Sequence, residues 1–128
     1  MRLLNRTQNA YTLAATAVFV ELPAFERHRA QYLDDEGFRA LQYLLMRNPV
    51  AGDPIRQTGG LRKLRFADVR RGKGKRGGLR VVYYWWAPGF EFWLLTLFDK
   101  DEMADLRPQD RKALKAMAKA ELEAKRNI

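Results

Sequence analysis

The chain has 128 residues, 47% of them hydrophobic, and a formal net charge of +9. This length and composition predict one folded domain and exclude an intrinsically disordered chain. The sequence has no cysteine, which excludes disulfides and thiolate metal sites, and no apolar run approaches the roughly 20 residues of a membrane-spanning helix. No export signal is recognisable, so we expect a cytoplasmic protein without a membrane partner.

The N-terminal part predicts an extension followed by a strand and a helix. Residues 1–17 have weak periodicity and are interpreted as a flexible extension to a domain formed by residues 18–128. Val18 to Val20 are typical of a short strand, and Pro23 suits the first position of a helix. The domain is therefore expected to begin with a strand that leads into a helix.

A second helix is predicted directly after the first. Asp34 is the expected N-cap, and the helix should end at Asn48-Pro49, because the residue before a proline disfavours the helical conformation. The following residues, 49–60, are rich in Gly, Pro and Asp and are interpreted as a loop. The apolar face of this helix is predicted to consist of Phe38, Leu41, Leu44 and Leu45.

The second half of the chain predicts three strands and a final helix. Residues 61–67 alternate between two faces, and residues 79–86 and 91–98 form two further strands joined by a turn at Pro88-Gly89. Residues 108–126 have the periodicity of an amphipathic helix. The predicted order is β-α-α-β-β-β-α. It indicates an α+β fold, a single compact domain in which helices pack on a small antiparallel sheet.

Positive charge is concentrated in one segment of the chain. Residues 61–80 contain nine of the 24 lysines and arginines but a single acid, Asp68. Small basic domains usually bind polyanions, so this clustering predicts contact with nucleic acid or with the ribosome. A solvated basic surface that only attracts such partners, or that binds an acidic protein, is the alternative interpretation of the same pattern.

The sequence favours metal-free phosphodiester chemistry over the common catalytic sets. His28 is the only histidine, which excludes a two-histidine nuclease mechanism. RNA supplies its own nucleophile, the 2′-OH, so a ribonuclease needs a base, an acid and cations that stabilise the transition state. Arg80 begins an apolar strand, which should hold its guanidinium rigidly, as a phosphate clamp requires. Lys75 and Lys100 are the other candidate catalytic cations, and no cofactor or metal is expected.

Two further groups of residues are given structural roles. The acids that follow the third strand are interpreted as solvated charges and helix-start residues in preference to a magnesium site; they are Asp99, Asp101, Glu102 and Asp105. The aromatic run in the second strand is interpreted as core, with base stacking as the alternative; it comprises Tyr83, Tyr84, Trp85 and Trp86.

Three segments carry a resemblance to a known family. They are T-G-G-L-R-K-L-R at 58–65, K-G-K-R-G-G-L-R-V-V-Y-Y-W-W at 73–86 and L-L-T-L-F-D-K-D-E-M-A-D-L at 94–106. Together they resemble the RelE superfamily, and most closely its HigB-type toxins of bacterial toxin–antitoxin modules. The resemblance extends from about Val18 to about Leu122 and thus covers nearly the whole chain.

This resemblance implies a specific activity and set of partners. Such toxins enter the ribosomal A site and cleave mRNA there without a metal, which inhibits translation and arrests growth. A cognate antitoxin, expected to be a helix-turn-helix protein, neutralises the toxin, and operator DNA is bound only through the toxin–antitoxin complex. The arginine that contacts the scissile phosphate in the family corresponds to Arg80, and a further functional cation to Lys100. The family's loop and strand cations correspond to Arg62, Lys63, Arg65, Lys73, Lys75 and Arg76.

Two alternative functions stay open at this point. The superfamily includes ParE-type proteins, which poison DNA gyrase instead of cutting RNA and generally lack a dense cationic site. A non-enzymatic protein that binds the ribosome or a nucleic acid would also explain the basic segment.

Overall fold

The computed structural model describes residues 4–5, 17–67 and 78–126, which form one α+β domain, as predicted. Its strands are β1 (Leu4–Asn5), β2 (Val18–Glu21), β3 (Asp53–Pro54), β4 (Arg62–Phe66), β5 (Leu79–Trp86) and β6 (Glu91–Asp99). Its helices are α1 (Pro23–Tyr32), α2 (Asp35–Arg47) and α3 (Pro108–Arg126). None of these three helices is long and apolar enough to cross a bilayer.

The strands form one sheet in the order β1-β2-β6-β5-β4-β3. The strands from β3 to β6 pair antiparallel, which confirms the predicted antiparallel pairing of β4, β5 and β6. In contrast, β2 lies parallel to β6 and β1 parallel to β2. β3 lies within the segment predicted to be a loop, and it forms the edge of the sheet next to β4. Residues 4–5 of the predicted extension form β1, and most of the rest of that extension lies outside the described residues.

Helices cover both faces of the sheet. α1 and α2 pack on one face through residues such as Phe25, Phe38 and Leu41, all fully buried. α3 packs on the other face through Leu114 and Ala118. Full burial of one large apolar side chain contributes about 1.5–3 kcal/mol, so these two cores hold the helices against the sheet. β5 lies between them, which explains why its sequence is apolar on both faces.

Local interactions fix the predicted helix starts. Asp34 caps α2, since its Oδ1 accepts a hydrogen bond from the backbone N–H of Gly37 at 2.7 Å. α3 begins after Arg107, whose side chain is not of a capping type. Instead, Asp110 Oδ2 accepts a hydrogen bond from the backbone N–H of Arg107 at 2.9 Å, which satisfies one donor at this helix end.

A buried tyrosine ties the loop after α2 to the sheet. The Tyr83 hydroxyl donates a hydrogen bond to Pro49 O at 2.8 Å and accepts one from the Gly52 N–H at 3.0 Å. Gly52 allows this approach, because a Cβ there would lie 2.9 Å from Tyr83 Cε1 and 3.1 Å from the backbone of Lys63. Burial raises the pKa of Tyr83, so its hydroxyl keeps the proton that it donates to Pro49.

Replacing this hydroxyl should therefore destabilise the fold. Tyr83→Phe leaves the Gly52 N–H and the Pro49 carbonyl without their partner, and we expect a loss of about 1–3 kcal/mol in the free energy of unfolding. Urea denaturation measures this as a lower midpoint at unchanged slope. Tyr84→Phe is the matched control, because Tyr84 is half-buried and no described residue bonds its hydroxyl. Equal midpoints for the two variants would contradict the assigned role of Tyr83.

Candidate nucleic-acid interface

Arg80 occupies a fixed position on the central strand. It is the second residue of β5, between β4 and β6, and is only 6% exposed. Its guanidinium Nη1 donates to Gly78 O at 3.2 Å and to Leu79 O at 3.3 Å. The structure thus confirms that the sheet holds this side chain, as the sequence predicts.

Two more cations of the neighbouring strand lie on the same face as Arg80. The β4–β5 register pairs Arg65 with Arg80 and Lys63 with Val82, and directly paired residues point to one face of a sheet. Leu64 and Phe66 point to the opposite face, into the core beneath α1 and α2. The predicted alternation along β4 is therefore confirmed. We refer to Lys63, Arg65 and Arg80 as the basic cluster.

The environment of Arg80 combines burial with charges of both signs. Burial lowers the pKa of Arg80 and Arg65 lowers it further, whereas Asp105 and Asp99 act in the opposite direction. An arginine remains protonated despite such shifts. The basic cluster therefore presents a permanent positive charge that is partly removed from water, where its interaction with an anion is stronger than at a fully hydrated surface.

Asp105 supplies the closest counter-charge to the basic cluster. Its Oδ1 lies 2.7 Å from Lys63 Nζ and also accepts a hydrogen bond from the Leu106 N–H at 2.8 Å. The hydrogen bond from Lys63 is the main reason why the pKa of Asp105 falls below its usual value, and the charge of Arg111 contributes. Lys63 and the Leu106 N–H are thus two donors that converge on one anion, and in this structure that anion is the carboxylate of Asp105.

The buried Asp99 organises the turn that carries Asp105. It ends β6 and is fully buried, and its Oδ1 accepts a hydrogen bond from the Asp101 N–H at 2.7 Å. Within the described residues, no group of three or more Asp, Glu or His side chains is arranged to hold a metal ion. The prediction of solvated charges is wrong for Asp99, which is buried within the fold, and Asp105 is paired with Lys63 instead of starting a helix.

Lys100 lies at the same end of the sheet as Arg80. Its backbone N–H donates to Gly78 O at 3.4 Å, close to where β5 begins. Its side chain is exposed. Lys100 thus lies near the start of β5, and its catalytic role remains a prediction.

The structure does not bring all predicted site residues together. Arg62 points away from the basic cluster, and its Nη1 donates to Gly52 O at 2.7 Å and to Val50 O at 3.4 Å, so it supports the loop after α2. Lys73, Lys75 and Arg76 lie outside the described residues. The basic cluster, Lys100 and the acids around Asp105 therefore make up the site that the structure defines.

Models of known protein families give no match to this chain.

A separate groove lies on the other side of the sheet. Its volume is about 670 Å³, and α1, α2 and the end of β4 line it. Asp34 and Glu36 contribute carboxylates to this groove, and Arg39 is its single cation. The two carboxylates distinguish this groove from the basic cluster, whose side chains are all cations.

Proposed function

We propose that the protein is a ribosome-dependent, metal-independent mRNA endoribonuclease of the HigB/RelE type, the toxin of a toxin–antitoxin module. The observation that carries this proposal is the buried Arg80, held by the central strand and flanked on the same face by Lys63 and Arg65. A rigid arginine among other cations suits a phosphodiester that gains negative charge during cleavage.

The proposed reaction follows from the chemistry of RNA. The 2′-OH attacks the adjacent phosphorus, the bond to the 5′-oxygen breaks, and a cyclic phosphate and a 5′-hydroxyl result. Arg80 binds the non-bridging oxygens of the phosphate, and Lys63 and Arg65 hold the flanking backbone. Lys100 and Lys75 are the further catalytic cations of this proposal. Lys63 forms an ion pair with Asp105, and its role in this proposal is that of a cationic contact.

The proposed partners follow from the same activity. The ribosome and its mRNA place the protein in the cytoplasm, and a cognate helix-turn-helix antitoxin neutralises it, with operator DNA bound only through that complex. An acidic antitoxin segment would compete with RNA for the same positive charges.

The test is to map the 5′ ends of cellular mRNAs after brief expression in a bacterial host. New ends within translated regions, absent from untranslated RNAs, are the expected result. Growth arrest without new mRNA ends would overturn the nuclease proposal in favour of a non-enzymatic binder. DNA breaks with intact mRNA would instead identify a gyrase poison.

A further inference from the structure

The exposed surface of α3 carries a row of cations without partners. Lys112, Lys115 and Lys119 are exposed, and their spacing of three and four residues puts them on one side of the helix. None of the three ammonium groups has a hydrogen bond or ion pair with a residue in 17–67 or 78–126. Two other cations of this helix region form ion pairs, Arg107 with Asp110 and Lys125 with Glu91.

The start of α3 is linked to the basic cluster through Asp105. Arg111, one turn before Lys115, donates from Nη2 to Leu106 O at 3.5 Å, and its charge helps to lower the pKa of Asp105. Asp105 in turn pairs with Lys63 of the basic cluster. Asp105 thus interacts with a cation of the basic cluster and with a cation at the start of α3, which brings these two regions close together.

The direction and spacing of the row suit a nucleic-acid backbone. α3 runs antiparallel to β6, since it begins beyond Asp99 and its Lys125 reaches Glu91 at the other end of that strand. Four residues of helix rise about 6 Å, so the row extends by about 10 Å from Lys112 to Lys119. Cations repeated at this interval can each neutralise a successive phosphate of one strand.

We propose that Lys112, Lys115 and Lys119 form a phosphate-binding face that holds the RNA strand beyond the cleaved bond. The partner is the sugar–phosphate backbone of the same RNA whose scissile phosphate lies at Arg80, so the inference rests on the proposed function. The lysines act here as point charges that contact phosphates and not base edges. This face therefore increases the affinity for RNA and the length of strand that is bound, without adding base specificity.

The test is the salt dependence of binding to single-stranded RNA. The triple variant Lys112→Gln, Lys115→Gln, Lys119→Gln removes the face, and glutamine keeps the helix propensity close to that of lysine. Each lost phosphate contact reduces the slope of log K against log salt by about 0.7, so the slope should fall by about 2 for a twelve-nucleotide RNA. A three-nucleotide RNA, which fits at the basic cluster alone, should show no such change.

A control variant with the same loss of charge distinguishes the effect of this face from the effect of net charge. Arg27→Gln, Arg47→Gln, Arg56→Gln also removes three exposed cations, on α1, at the end of α2 and between β3 and β4. The control should keep the slope of the wild type. Equal slopes for the triple variant and the control would overturn the inference, and so would an equal loss for the short and the long RNA.

The test of the α3 face can succeed or fail independently of the test of the proposed nuclease function. If the wild type cleaves mRNA but the α3 variant keeps its salt slope, the inference fails and the nuclease stands. If the wild type cleaves no mRNA while the slope falls only in the α3 variant and only for the long RNA, the face is confirmed as an RNA contact and the nuclease fails.

Discussion

Arg80→Ala is expected to reduce mRNA cleavage by about 10²- to 10³-fold, which is the usual effect of removing one preorganised donor to a charged transition state. The guanidinium is held by a central strand, so water or a neighbouring side chain cannot easily take its place. Cleavage of ribosome-bound mRNA by purified protein, measured at equal concentrations, gives the rate of each variant. In cells, the same substitution should remove growth arrest.

Two comparisons make this prediction specific. Arg80→Lys keeps the charge but loses the planar fork of donors, so its cleavage rate should lie well below that of the wild type. Arg27→Ala removes an exposed cation of α1 and should leave the rate unchanged. Arg80 is buried, so thermal unfolding of each variant must show a folded protein at the assay temperature. A folded Arg80→Ala protein that cleaves at the wild-type rate would refute the assignment.

The elements with strong local signals could be predicted from the sequence. β5 and α3 have the predicted bounds, 79–86 and 108–126, because a continuous apolar run and a Pro-initiated amphipathic repeat are properties of short windows. The alternation along β4 likewise placed Lys63 and Arg65 on one face. These local patterns predicted that Lys63 and Arg65 share a face, whereas the position of Arg80 on that face follows from the β4–β5 register.

The interactions between distant segments could not be predicted in the same way. The parallel pairing of β2 with β6 joins residues far apart in the chain, and no local pattern specifies it. The contact of Asp105 with Lys63 depends on the path of the turn between β6 and α3, which packs through the buried Leu106. The acids were visible in the sequence, but their position beside the basic cluster was not.

This contact suggests how the site is kept stable without its substrate. Like charges on paired residues of β4 and β5 repel, and Asp105 offsets part of that repulsion. A bound phosphate brings the same negative charge to the same cations. In the proposed complex with RNA, the carboxylate and a phosphate would compete for these cations, so removing the carboxylate should favour RNA binding.

Asp105→Asn is accordingly expected to tighten RNA binding by about three- to tenfold, since one negative charge close to Lys63 is lost. The side chain of Asp105 is 54% exposed, so the loss of its ion pair should change the free energy of unfolding by only about 0–1 kcal/mol. Binding of a fluorescent single-stranded RNA measures the affinity. Asp35→Asn, which makes the same charge change at the start of α2, is the control and should have little effect.

The pH dependence of this effect has a defined sign. The pKa of Asp105 is lower in the folded protein than in the unfolded chain. The ion pair of Asp105 therefore stabilises the fold at a pH above the unfolded-state pKa, and this stabilisation is lost as the pH falls through the folded-state pKa. From about pH 5 upward the carboxylate is fully ionised, and the affinity difference between Asp105→Asn and the wild type should be constant. Weaker RNA binding by Asp105→Asn would show instead that this carboxylate supports the RNA-bound state, for example by orienting Lys63 towards the phosphate.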